Sequence, residues 1–342
     1  MDEHASPPAR PTMSDIATAT GLSLKTVSRA LNNEPNVRPA VRERVMREAK
    51  ARGFRRNSMA ASLASTRSSL SIGALIEDLG DPFWAAMISG IEEVARERQY
   101  ALLIASSNEE PDLERETLDL FLSRRVEGVI VVPSSDDHAY LAPDLERGTA
   151  IVFVDRPATN IEVDTVLIAH RDGAASGIRH LLEHGHTAIG YIGHASTVYT
   201  GRERWHGFAE AMATAGVPII TELVENEVQD IESARAATAR LLALPEPPTA
   251  IFADNNRSTA GVLKAFSDAG VGDVALVGFD DFELADVLGV TVVSHDAHIL
   301  GRTAATRLFD RLEGLEEPSK QILLETRIVP RGSGERPPRH RG

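Results

Sequence analysis

The chain contains no cysteine, which excludes disulfides, thiolate metal sites and a cysteine nucleophile, and fits a reducing compartment. It has no long apolar run, so no membrane-spanning helix is expected. The first residues, Met1-Asp-Glu-His-Ala-Ser-Pro-Pro, are acidic and proline-containing where a secretory signal would be basic and then apolar, so the expected location is the cytoplasm. Enzyme signatures are missing too. There is no Gly-x-Gly-x-x-Gly after a strand, no Gly-x-Ser-x-Gly elbow, no Walker sequence and no His-Glu-x-x-His. No catalytic residue and no cofactor is therefore expected. His184-Gly-His186 is a bare pair without further ligands at suitable spacing, so it reads as structural and no metal is expected.

Positive charge is also scarce overall, but not everywhere. The 342 residues carry 36 Lys/Arg against 50 Asp/Glu, a net of −14. Residues 1–69 hold 12 Lys/Arg against 6 Asp/Glu, residues 331–342 hold 4 against 1, and the stretch between them carries −23. A basic N-terminal module on a strongly acidic body fits a small phosphate-binding head carried by a domain with another task. For the Arg/Pro/Gly C-terminal tail, a solvated disordered segment is the simpler reading.

The basic segment has an internal pattern. Met13-Ser-Asp-Ile-Ala-Thr-Ala-Thr-Gly-Leu-Ser-Leu-Lys-Thr-Val-Ser-Arg-Ala-Leu-Asn32 reads as a helix, a glycine turn and a second helix. Ile16, Ala17, Val27, Ala30 and Leu31 fall on the faces two crossed helices share, and Gly21 sits where the chain must turn without a Cβ clash. Ser23 can cap the second helix, which leaves Leu24, Lys25, Ser28 and Arg29 on its outer face near the start. Val41, Val45, Met46 and Ala49 recur at helical spacing and define a third helix stopped by Gly53. Residues 57–69, rich in Ser and Ala, are too weak in apolar content to fold alone and read as a hinge and linker.

From Leu70 the pattern changes to short apolar strands alternating with helical stretches. Residues 71–76, 101–105, 128–132 and 150–154 form one set of strands, and 189–192, 219–224, 250–252 and 275–279 a second. That alternation predicts right-handed crossovers and parallel sheets with helices on both faces, in two lobes with a cleft between them. Ligands of such sheets bind at the carboxyl ends of strands.

Motifs separated along the chain agree in order and spacing: Asp15-Ile-Ala with Thr26-Val-Ser-Arg-Ala-Leu-Asn32, Arg55-Arg-Asn-Ser-Met-Ala-Ala-Ser-Leu63, Asp81-Pro-Phe-Trp84, Val154-Asp-Arg156, Arg204-Trp-His-Gly-Phe208 and Val277-Gly-Phe-Asp-Asp281. As a set they resemble the LacI/GalR family of transcriptional repressors, from Thr12 to about Val329. The resemblance implies a helix-turn-helix DNA-binding domain over 12–57, a hinge over 58–69, and a periplasmic-binding-protein-like effector core over 70–330. Lobe 1 is then expected at about 70–167 and 294–325 and lobe 2 at about 168–293, with disordered ends at 1–11 and 331–342. It also implies a homodimer on a pseudo-palindromic operator, controlled by a small molecule, most often a sugar.

Site residues follow from the same resemblance. Leu24 and Lys25 stand at the specificity pair and Arg29 at a further base-reading arginine, where Lys25 and Arg29 can donate to guanine and Leu24 can meet a thymine methyl. Ser14, Thr26, Ser28 and Asn32 are placed near phosphates, Ser23 and Asn57 are counted among the DNA-binding residues, and Leu63 stands at the hinge leucine that wedges a minor-groove step. For the effector, the implied residues are Asp81, Phe83, Trp84, Asp155, Thr200, Arg204, Gln229, Asn255, Asn256, Asp280 and His295. Three positions depart from the family pattern: Asn255-Asn256 where Asn-Asp is usual, His295 where glutamine is frequent, and Gln229 where an aromatic often closes the pocket. Aromatic pairs at a helix start also serve as core, Asp155 or Asp280 can cap a helix, and Arg156 fits a structural salt bridge. An activator of the same architecture or a solute-binding protein are the alternatives. The first differs only in operator position, and the second fails on the missing signal and the N-terminal head.

Overall fold

A computed structural model describes residues 11–31, 34–54, 70–194 and 197–338. They divide into two compact units, a head that ends at Phe54 and a body that starts at Leu70.

The described residues of the head form three helices: α1 (Met13–Thr20), α2 (Leu24–Leu31) and α3 (Pro39–Ala51). Thr12 and Asp15 form a reciprocal capping box at the start of α1, which satisfies two backbone donors that a helix start otherwise leaves open. Gly21 closes α1 at φ 64, a left-handed conformation that an L side chain resists. Ile16, Val27, Ala30, Val37, Val45 and Ala49 form the core. Met46, expected there from its spacing, is 52% exposed; Val45 and Ala49 already fill the inner stripe of α3, and Val37 supplies the remaining apolar volume from the preceding loop.

The body holds two six-stranded sheets. The first contains β1 (Ser71–Ile76), β2 (Ala101–Ser106), β3 (Gly128–Val131), β4 (Ala150–Val154), β5 (Asp164–Ile168) and β11 (Gln321–Leu324), in the order β11-β5-β4-β3-β1-β2 and parallel throughout. The second contains β6 (Ile189–Ile192), β7 (Val224–Glu225), β8 (Ala250–Ala253), β9 (Ala275–Phe279), β10 (Thr291–Ser294) and β12 (Arg327–Val329), in the order β12-β10-β9-β8-β6-β7. Only the edge strand β12 runs antiparallel. Helices α4 (Pro82–Glu97), α5 (Pro111–Ser123), the short α6 (Ala142–Glu146) and α11 (Ala297–Leu312) belong to lobe 1. Helices α7 (His170–Glu183), α8 (Tyr199–Thr214), α9 (Ile231–Leu242) and α10 (Asn256–Ala269) belong to lobe 2. Alternate residues of one strand feed opposite cores: Ile72, Ala74 and Ile76 pack with α4 and α11, while Leu75 packs with Leu118 and Phe121 of α5. Because both faces are covered, the inner strands β1, β3, β4, β5, β6, β8, β9 and β10 are buried almost throughout, as a two-sided parallel sheet requires, while the edge strands β2, β7, β11 and β12 are partly exposed.

The chain crosses between lobes three times, after β5, after β10 and between β11 and β12, so lobe 2 takes in residues beyond the single span 168–293. The expected strand over 219–224 is instead a short 3-10 turn, Thr221–Leu223, before the two-residue β7. The tail is a larger correction. Arg331–Pro338 is packed on lobe 2: Ser333 is 3% exposed, its hydroxyl donates to Leu276 O and accepts from Thr291 N, and Arg331 pairs with both oxygens of Asp281. Composition alone reads this segment as solvated, whereas its anchors are individual polar bonds. Residues 1–10, the expected hinge at 58–69 with Leu63, and Asn32 and Asn57 lie outside the described residues.

Close helix packing on lobe 1 depends on two glycines. A Cβ on Gly301 of α11 would run into the carbonyl of Met87 on α4, and a Cβ on Gly90 would meet the carbonyl of His298. Gly301→Ala is therefore expected to destabilise the protein by about 1–3 kcal/mol, read as a lowered thermal midpoint. Gly272→Ala, where an added Cβ meets nothing within 4 Å, serves as control. Equal midpoints for the two variants would contradict this packing.

Candidate functional site

On the head, Leu24 is 53% exposed, Lys25 and Ser14 are exposed, and Thr26, Ser28 and Arg29 are half-buried on the flank of α2. The Ser23 hydroxyl accepts from Thr26 N at 3.1 Å and lies 2.8 Å from the Thr26 hydroxyl. Ser23 is thus the cap of α2. The helix start presents Leu24 and Lys25 outward, the end that meets base edges when such a helix enters a major groove.

In the body, ten of the eleven expected effector residues line one cleft: Asp81, Phe83, Trp84 and Asp155 from lobe 1, and Thr200, Arg204, Gln229, Asn255, Asn256 and Asp280 from lobe 2. His295 is set behind Phe83, ring centroids 5.4 Å apart. Trp84 is 4% exposed and belongs equally to the lobe 1 core. The sequence reading missed Glu77, Glu109, Arg156, His194, Val198 and Arg257 as lining groups. Glu77 follows β1 directly, so the strand-end rule could have found it; Arg257 could not be found that way, because it sits inside the first turn of α10.

Each wall is fixed by an arginine. Arg156, with its side chain 11% exposed, donates to Glu77 at 2.7 Å, to Glu109 at 2.6 Å and to Pro133 O at 3.2 Å. It thereby ties together the ends of β1, β2, β3 and its own strand β4. Arg204 donates to His170 Nδ1 at 3.2 Å and to Asp254 O, lies 3.4 Å from Asp280, and stacks 4.0 Å above the Phe279 ring. Arg257 spans the lobes: it pairs with Asp78, and with Asp81 at 3.2 Å, while Asn256 donates to Asp81 Oδ1 at 2.9 Å. Asp81 also caps α4 through Phe83 N, and Asn255 caps α10 through Ser258 N. These bridging side chains leave about 100 Å³ of free space in the cleft, below the several hundred of a drug-sized pocket. A roomier groove of about 390 Å³ lies between α7 and α8, but only helix faces line it and no strand end opens into it.

The two lobes repeat one arrangement at the cleft floor. Asp155 follows β4 at φ 69 and donates its backbone N–H to Val166 O; Asp280 follows β9 at φ 68 and donates its N–H to Val293 O. Each faces a histidine on a crossover, Asp155 Oδ1 lying 3.6 Å from His170 and Asp280 Oδ1 3.6 Å from His295. The protonation states nevertheless diverge. Burial alone would raise Asp155, but His170, Arg156 and Arg204 carry it down to about 2. For Asp280, burial prevails over Arg204, and repulsion by Asp155, Asp81 and Asp254 helps push it up to about 7. Glu77 also rises to about 7, through burial and the nearby Glu109 and Asp155 against the pull of Arg156. His295 falls to about 3 because it is buried beside His170 and Arg204. His184 and His186 point elsewhere: His184 bonds His180 O, and His186 bonds Thr249 and Arg336 O.

A helix-turn-helix head followed by two parallel-sheet lobes around a polar cleft defines a DNA-binding transcriptional regulator with a ligand-binding core. Residues 12–57 match the family model of bacterial regulatory proteins of the lacI family, and residues 178–334 match that of the periplasmic binding protein-like domain. The chain belongs to the LacI family. It is 27% identical to the transcriptional repressor CytR of Escherichia coli K12, over 94% of this chain and 96% of CytR. It is 30% identical to the regulator GalR of Salmonella typhimurium, over 79% of this chain and 80% of GalR. Among solved structures, the complex of the regulator CelR with cellobiose is 27% identical, covering 95% of this chain and all of that one at a TM-score of 0.69. The lac repressor dimer bound to operator, 23% identical over 95% of this chain and 99% of that one, shares its fold at a TM-score of 0.83. These relatives are described as transcriptional regulators, not as enzymes. Among the described residues no helix is long and apolar enough to cross a membrane.

The raised Asp280 has a consequence for stability. The folded chain keeps a proton there that the unfolded chain releases near pH 4, so folding loses free energy as pH rises from 4 to 7 and no more above that. Asp280→Asn removes this loss. The stability of the variant relative to wild type is expected to grow by on the order of 2 kcal/mol between pH 5 and pH 7 and then level off, measured by urea unfolding. A difference independent of pH would contradict the protonation of Asp280.

Proposed function

We propose that the protein is a cytoplasmic homodimeric repressor of carbohydrate-use genes that binds a pseudo-palindromic operator. In this reading an uncharged sugar or sugar derivative in the cleft changes its affinity for DNA. Leu24, Lys25 and Arg29 would read bases, with Ser14, Thr26 and Ser28 on phosphates. The observation that carries the ligand class is the charge of the cleft. Arg156, Arg204 and Arg257 each pair with carboxylates of the protein itself, and five carboxylates line the walls. A phosphate or carboxylate ligand would meet an excess of like charge with no unpaired arginine to receive it. Hydroxyls suit the site better. They donate to carboxylates of the cleft wall such as Asp81 and Asp155, and they accept from guanidinium and amide groups. The Phe83–Trp84 edge pair, centroids 4.6 Å apart, offers apolar surface for a ring face. The cellobiose found with CelR supports the same class.

Dimerisation is supported by the shared fold with the lac repressor dimer and by apolar side chains on the body surface, Leu284, Val287 and Leu288 at 53–78% exposure. Light scattering should give twice the chain mass at micromolar protein; a tetramer or a monomer mass would contradict it.

The ligand class is tested by thermal shift of the full chain against neutral mono- and disaccharides, nucleosides, sugar phosphates and sugar acids. A neutral saccharide is expected to raise the midpoint, and Arg204→Ala to abolish that shift while DNA binding without ligand persists. Stabilisation by a sugar phosphate or acid alone would overturn the assignment, as would an unchanged response in Arg204→Ala.

A further inference from the structure

Glu34 lies in the connection between α2 and α3 and is held at three points. Its N–H donates to Arg29 O at 3.1 Å, its carbonyl accepts from Arg42 of α3 at 2.6 Å, and its carboxylate accepts from Arg29 Nε at 2.9 Å. The backbone is thus fastened to the end of one helix and the side of the next, and the side chain doubles back onto Arg29. Which edge of the guanidinium it takes matters. Arginine carries five N–H donors in a planar fork, and Glu34 occupies the inner, Nε edge. The outer pair, Nη1 and Nη2, has no hydrogen-bond partner among the described residues, and an outer pair of this kind can span O6 and N7 of one guanine.

Magnitudes separate a positioning role from a structural one. The Arg29 and Glu34 side chains are 35% and 37% exposed, and ion pairs open to water to that degree contribute little to folding. A bidentate arginine–guanine contact discriminates between bases far more strongly, and it depends on the angle at which the guanidinium plane is presented. The Glu34 carboxylate need not let go for Nη1 and Nη2 to dock.

We propose that Glu34 is a positioning residue for DNA reading: it holds the guanidinium of Arg29 by its Nε edge, so that the outer donors meet one guanine in each half-site. The inference rests on Arg29 as a base-reading residue. It implies two effects of opposite sign. Loss of Glu34 weakens the preference for guanine at one position, and it also removes a negative charge that opposes the phosphates on any sequence.

The test uses the full-length chain as wild type, Glu34→Ala, Glu34→Gln and Arg29→Ala. Each is put through selection from a randomised duplex pool with sequencing, and its affinity for an unselected random-sequence duplex is measured by anisotropy. Wild type is expected to enrich guanine at one position per half-site, and Arg29→Ala to abolish that enrichment. Glu34→Ala should lower it about threefold at that position alone while binding random duplex at least as tightly as wild type. Glu34→Gln, which keeps an acceptor oxygen without the charge, should fall between. Full guanine enrichment in Glu34→Ala overturns the proposal. So does a loss spread over all positions together with a lowered thermal midpoint, which would mark a structural role. If Arg29→Ala retains the wild-type profile, the reading of Arg29 fails and the positioning role fails with it.

Discussion

A guanidinium group taken out of water must be given acceptors, and this requirement organises the body of the protein. Removing one partner of a buried charge pair costs several kcal/mol, so the polar groups that converge on Arg156 and Arg204 are obligatory neighbours. Arg156 draws the ends of four lobe 1 strands together through Glu77, Glu109 and Pro133. Arg204 draws in Asp254, Asp280 and the crossover histidine His170. The cleft floor is therefore a set of strand ends clasped by two cations. Its excess of carboxylate has been absorbed partly by arginine and partly by protons, with Asp280 and Glu77 both held near 7.

The same constraint accounts for the contact between lobes. Arg257 and Asn256 at the start of α10 reach Asp78 and Asp81, which lie between β1 and α4. The Arg257–Asp78 pair is half-exposed and individually weak, whereas Asp81, which receives the other two bonds, is largely buried. The crossovers lie directly beneath: His170 and His295 are buried beside Asp155 and Asp280, each with at least one ring nitrogen lacking a hydrogen-bond partner among the described residues. Polar groups left in that condition are expensive, and an arrangement of the lobes that gave them partners would be favoured accordingly. A ligand that favours one arrangement shifts the balance by its difference in affinity for the two, and by no more.

Much of this was legible in the sequence because it depends on local rules. Gly21 announced a turn, Ser23 a cap, and short apolar runs alternating with stretches of helical spacing separated strands from helices. The family resemblance singled out Asp155, Asp280 and Asn255, and each of the three follows a strand, where ligands of such sheets bind. What stayed hidden depends on tertiary partners. Met46 fits the helical spacing of α3, yet its neighbours Val45 and Ala49 take the buried stripe. Arg331 and Ser333 look like tail composition until Asp281, Leu276 and Thr291 are brought beside them. Arg257 and Glu34 carry no motif, and their roles exist only through the groups they face, Asp78 and Asp81 in one case and Arg29 in the other. The strands β5, β10, β11 and β12 stayed hidden because polar residues cut into them, Asp164 and Thr165, Thr291 and Ser294, Gln321 and Arg327, and leave only short apolar runs.

Regulation by a cleft ligand requires that ligand and operator affect each other equally. The direct measurement is a closed cycle on the full chain: affinity for a selected operator duplex with and without a saturating stabilising saccharide, and affinity for that saccharide with and without saturating operator. The ratio of the two operator affinities should equal the ratio of the two saccharide affinities and differ from one by about fivefold or more. Ratios of one on both sides, with the saccharide still bound, would show that the cleft binds a ligand without governing DNA and would contradict the regulatory role.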